Sequence, residues 1–107
     1  MAHKEDIHTI VVTYKLTGEE YGTAEEREAI FALGDQISDL IDKSRVGGYF
    51  DGNEFGDGEA RLYLYSPDAP KLLQLLDSLI KSFRNRPAYA TVWLGEADDA
   101  PKKIIEL

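Results

Sequence analysis

The sequence predicts an α+β fold: a ferredoxin-like βαββαβ sandwich, with an antiparallel sheet, two helices on one face and an extra C-terminal edge strand. Two observations lead there. Strand-like and helix-like stretches follow one another as β-α-β-β-α-β with a short apolar segment at the end. Both helical stretches are amphipathic, so a sheet must bury their apolar stripes. The length of 107 residues suits a single domain, 1–107, built on one core.

The segment from Ile7 to Leu16, IHTIVVTYKL, is rich in β-branched residues. Alternation sends Ile10, Val12 and Tyr14 to one face, and Thr9, Val11 and Thr13 to the other. Both faces carry apolar surface, as a central strand requires. A helix follows at TAEE, where Thr23 is the N-cap and Glu26 completes a capping box. Ile30, Leu33, Ile37, Leu40 and Ile41 form its stripe, Lys43 and Arg45 suit its C-terminal end, and Gly47–Gly48 provide the stop. Gly34 interrupts this helix at a cost of about 1 kcal/mol relative to Ala, which close packing on a sheet would explain.

Strands are then expected at Tyr49–Phe55 and Glu59–Ser66, joined by GDG, with Gly56 and Gly58 supplying positive φ and Asp57 tolerating the turn. In the second of them Ala60, Leu62 and Leu64 point one way, and Glu59, Arg61, Tyr63 and Tyr65 the other. SPDAP opens the second helix, with Ser66 as N-cap and Pro67 at the first helical position. Its stripe is Leu72, Leu73, Leu76, Leu79, Ile80 and Phe83, and Pro87 ends the RNRP stretch that terminates it. The strand Ala88–Leu94 turns its small apolar residues toward the helices and Tyr89, Thr91 and Trp93 outward. GEADDAPK is turn material, and KIIEL reads as an edge strand. The expected strand order is 4-1-3-2, with the fifth beside the fourth.

Composition narrows the chemistry. The chain has no cysteine, which removes thiolate metal sites, disulfides and cysteine nucleophiles. No apolar run approaches a membrane span, and MAHKEDIHT lacks the apolar core of a secretory signal, so a cytoplasmic protein without membrane attachment is expected. The net charge of −8 repels phosphate backbones and anionic surfaces and attracts basic proteins.

The acidic, glycine-rich stretch GGYFDGNEFGDGEARLYLY invites a calcium-loop reading. Counting from Asp51, an EF-hand would have Asn53 and Gly56 in place, but Phe55 and Leu62 stand where ligands belong. A looser divalent site from Asp51, Glu54, Asp57 and Glu59 is limited by the opposite directions of adjacent strand residues, so no metal or cofactor is expected. His3 and His8 assemble no Ser–His–acid set, and LTGEEYGT lacks a P-loop lysine. No catalytic residue is assigned.

What remains is the sheet face turned away from the helices. Tyr63, Tyr65, Tyr89 and Trp93 would lie there as amphipathic anchors of the kind enriched at interfaces. Ferredoxin-like RNA binders stack bases on this face, yet EARLYLYS carries one arginine among acids and lacks their signature, so nucleic acid is not the expected partner. A protein partner or a second copy fits better. Asp51, Glu54, Asp57 and Glu59 would steer its approach.

The stretch VGGYFDGNEFGDGEARLYLYSPDAPKLL resembles a group of short, mostly uncharacterised bacterial proteins with a Y/F-D-G-x-E turn and a helix after S/G-P-D-A. Through YFDGNE it also resembles the ribonuclease E regulator B family, acidic ferredoxin-like proteins that inhibit an RNase by direct binding. The strongly acidic segments of that family have no counterpart here. The resemblance implies a protein-binding inhibitor and carries over no catalytic residue. The expected function is a non-enzymatic binding or regulatory module, an acidic inhibitor of a basic protein such as a nuclease or toxin. The alternative is a homodimeric ferredoxin-like small-molecule-binding protein or enzyme.

Overall fold

The computed structural model describes residues 7–95 and 100–107; His3 and part of the GEADDAPK connection lie outside them. The elements are β1 (His8–Lys15), α1 (Ala24–Lys43), β2 (Tyr49–Gly56), β3 (Glu59–Ser66), α2 (Ala69–Ser82), β4 (Ala88–Trp93) and β5 (Lys102–Glu106). All strands pair antiparallel in one five-stranded sheet of order β2-β3-β1-β4-β5. Both helices pack on one side of it. This α+β arrangement is consistent with a ferredoxin-like kind of fold.

Cross-strand register explains the core. Ile10 lies between Leu64 and Val92, Val12 between Leu62 and Ala90, and Tyr14 between Ala60 and Ala88. Those rows are buried under Ile30, Leu33, Ile37 and Ile41 of α1, and under Ala69, Leu72, Leu76 and Ile80 of α2. Each fully buried Leu or Ile contributes about 1.5–3 kcal/mol relative to exposure. Tyr14 is wholly buried, and its hydroxyl donates to the Ile80 carbonyl near the end of α2. Its ring meets Phe83 edge-on at 4.9 Å. Burial pushes its phenol well above the usual range, with Arg86 opposing weakly.

The capping box at Thr23 and Glu26 is formed as expected. The Glu26 carboxylate also accepts from the Thr17 amide at 3.0 Å and from Asn85, tying both loops at this end of the sheet to the helix. Three boundaries differ from expectation. The α1 helix stops at Ser44, whose amide and hydroxyl both donate to Ile41, before the glycines are reached. Those glycines serve the next turn: at Gly48, φ is +116° and a side chain would collide with the Tyr65 carbonyl.

The N-cap of α2 is Asp68, which accepts from the Lys71 amide at 3.1 Å, and not Ser66. Ser66 precedes a proline, stays extended as the buried end of β3, and donates to the Gly47 carbonyl. In the β2–β3 turn the positive φ angles fall on Asp57 (56°) and Gly58 (75°), while Gly56 remains in β2. That is the type I′ geometry, whose twist matches the flanking strands.

A bulge between Phe50 and Gly52 shifts the β2 register. Phe50 pairs opposite Leu64 and Phe55 opposite Ala60, so both face the helices although an odd number of positions separates them. Strict alternation would put them on opposite faces. Phe55 then meets Phe31 of α1 edge-on at 5.6 Å.

Candidate functional site

The sheet face opposite the helices has none of the described residues layered over it as a helix or strand. Register sets its side chains in rows. One row runs Tyr49, Tyr65, Thr9, Trp93, Lys102; the next runs Gly52, Tyr63, Val11, Thr91, Ile104; the third runs Glu54, Arg61, Thr13, Tyr89, Glu106. Tyr63, Tyr65, Tyr89 and Trp93 are half-buried and lie on this one face, as their alternation implies. Val11, Thr13 and Thr91 are only 9%, 4% and 9% exposed. Tyr63, Arg61, Tyr89 and Ile104 stand beside these shorter residues in the same rows and make the surface amphipathic.

Within it Tyr49 stacks on Tyr65 with ring centroids 5.1 Å apart, and the Lys102 ammonium sits 5.9 Å from the Trp93 ring. Tyr49 is 55% exposed, among the most exposed large apolar groups of the described chain. Sequence reasoning did not place it on this face, because the bulge that orients it has no periodic signal. Counted back from the turn without a bulge, Ser66 and not Tyr65 would stand opposite Tyr49.

The acidic residues behave in two ways. Arg61 donates to Glu54 at 3.1 Å and to Glu59 at 2.8 Å, and Tyr63 donates to the same Glu54 oxygen at 2.7 Å. The Tyr63 and Arg61 hydrogen bonds hold the Glu54 carboxyl below its ordinary range. Reciprocally, the hydrogen bond to Glu54 and then burial raise the Tyr63 phenol. Asp51, at the bulge, and Asp57, at the turn, are exposed and outside this network. The four acids therefore act as two solvated charges and two that share the one charge of Arg61.

No family model, curated protein or solved structure matches the chain. The geometry therefore carries the functional reading alone.

Among the described residues no three Asp, Glu or His side chains converge as metal ligands would. His8 uses Nδ1 to accept from the Ala69 amide at 3.0 Å, anchoring the start of α2 to β1. An open groove of about 310 Å³ runs between α2 and β5, lined by Leu73, Ile80, Ala90, Ile105 and Leu107. Asp77 and Lys81 at its rim pair with each other at 3.0 Å. Among the described residues no helix is long and apolar enough to cross a membrane.

Proposed function

We propose that this protein is a non-enzymatic, cytoplasmic binding module that regulates a basic protein by docking it on the open sheet face. The observation that carries this reading is one sheet face, covered by no helix or strand among the described residues, that holds Tyr49, Tyr63, Tyr65, Tyr89 and Trp93. Tyr and Trp supply large contact area at low entropic cost and dominate interface energetics when buried. Asp51 and Asp57 at one end, together with the net charge of −8, favour a positively charged partner and act chiefly on its association rate. In this reading the first four strands and both helices are the ferredoxin-like sandwich, and β5 is its appended edge strand.

The test is affinity capture from cytoplasmic extract of the source organism with wild type and with Tyr63→Ala/Trp93→Ala. A basic protein held by the wild type and lost by the variant is the expected result. Equal retention by both, or retention of nothing, would overturn the reading.

A second reading, a dimeric ferredoxin-like protein that binds a small molecule, rests on the groove beneath α2. Its volume lies at the low end of ligand sites, and its lining is largely apolar. A metabolite panel that raises the melting temperature, with the rise lost in Leu73→Arg, would favour it over docking on the open face.

A further inference from the structure

We infer that β5 is a self-pairing edge, and that a second copy of this chain docks on it antiparallel about Ile104. The inference comes from the edge geometry and does not depend on how the open face is used. The sheet has two outer edges, and they differ. The β2 edge is interrupted by the bulge at Asp51 and carries Gly52 at φ +119°, both of which spoil a continuous ladder. The β5 edge runs without a register shift from Lys102 to Glu106, and every one of its residues is exposed. Ile104 and Ile105 are 61% and 38% exposed, on opposite faces of the strand. Two helices spaced about 8–10 Å apart cover roughly four strands at about 4.8 Å each, so a fifth strand overhangs the helical layer.

Hydrogen-bond parity fits a two-fold pair at this strand. The Leu94 amide donates to the Pro101 carbonyl at 2.9 Å, and the Leu107 amide to the Ala88 carbonyl at 3.0 Å. Alternate residues of β5 therefore turn their backbone groups toward β4, and Lys102, Ile104 and Glu106 turn theirs outward. Those same residues lie opposite Trp93, Thr91 and Tyr89, with their side chains on the open face. A two-fold axis at Ile104 sets Ile104 against Ile104 of the second copy as a reciprocal hydrogen-bonded pair. It also sets Lys102 against Glu106 of the second copy, on both sides of the axis. Backbone ladder, apolar contact and opposite charges are all satisfied by one register.

The charges also select the occupant. Lysines on an edge strand ordinarily discourage pairing, because a neighbouring strand offers them no counter-charge. Here KKIIE supplies it to itself, but only when read antiparallel. The two open faces then become continuous, and Lys102 and Glu106 of one copy join Tyr89 and Trp93 of the other along the seam.

Sedimentation velocity over a concentration series up to about 0.1 mM tests this, with circular dichroism confirming that each variant is folded. Wild type is expected to reach twice the monomer mass. Lys102→Glu, which sets acid against acid twice, is expected to weaken self-association roughly tenfold or more; Glu106→Lys is expected to act likewise. Mixing these two variants, or combining both changes in one chain, is expected to restore the dimer. A wild type that stays monomeric throughout would sink the inference. So would a dimer untouched by these changes, or one broken by Tyr63→Ala/Tyr65→Ala on β3, away from the seam, which would put the contact on the open face.

Discussion

Gly34 on α1 lies against the Phe50 ring of β2, so closely that a Cβ there would stand 2.8 Å from one ring carbon and 2.9 Å from the next. The helix gives up about 1 kcal/mol of propensity to hold a glycine here, and the ring takes the space. Gly34→Ala regains that propensity but forces the ring to tilt within a packed layer, at about 1–3 kcal/mol. The expected net effect is destabilisation of about 1 kcal/mol or more by urea denaturation. In a Phe50→Leu background the same change is expected to be neutral or stabilising. An equal loss in both backgrounds would mean that the ring is not the obstacle.

Tyr14 joins the central strand to the C-terminal end of α2 through its bond to the Ile80 carbonyl. Tyr14→Phe keeps the ring packing and leaves that carbonyl without the phenol, costing about 1–2 kcal/mol. In a domain of this size that is a fall in melting temperature of roughly 4–16 °C.

The same residue predicts an alkaline limit. Its folded phenol is raised by burial, so the contribution is complete below the unfolded value near about 10 and is lost as pH climbs from there toward the folded one. Denaturation midpoints between pH 8 and about 11.5 should fall more steeply for wild type than for Tyr14→Phe. Parallel curves would contradict the assignment.

Glu26 predicts the acid limb. Desolvation works against its charge, but hydrogen bonds from Thr23, Thr17 and Asn85 outweigh it and lower the carboxyl. A lowered folded value means that the stabilisation is present above the unfolded value, near about 4.3, and disappears as pH falls through the folded one. Glu26→Ala is expected to cost about 1–2 kcal/mol at neutral pH and to flatten the stability profile below about pH 4.5.

The open-face network is readable by titration. Glu54 raises the Tyr63 phenol by accepting its proton in a hydrogen bond. Glu54→Gln removes the charge, so the Tyr63 ring-carbon NMR titration should shift to lower pH. No shift would mean that the Tyr63–Glu54 bond does not persist in solution.

Strand faces and helix starts were legible because their signals are local. In β3 the alternation of Ala60, Leu62 and Leu64 with Arg61, Tyr63 and Tyr65 carries its own in-and-out assignment, and burial follows it. Thr23 and Glu26 are three residues apart and cap the helix wherever the chain goes. The α2 cap was misplaced because Ser66 and Asp68 are both good cap residues, and only the contact of Ser66 with Gly47 across the chain tells them apart.

By itself, then, the sequence determined the α+β character, the two amphipathic helices and the side of the sheet on which each aromatic of β3 and β4 lies. Tertiary structure alone decided three matters. The bulge turns Phe50 and Phe55 to the same face, since an extra residue in one strand is visible only against its partner. Arg61 reaches across the hairpin to Glu54 and within its own strand to Glu59, so the acidic cluster is partly compensated. The exposure of β5 along its whole length depends on how many strands two helices can cover. Each is a property of register and layer width, and those arise between segments distant in the chain.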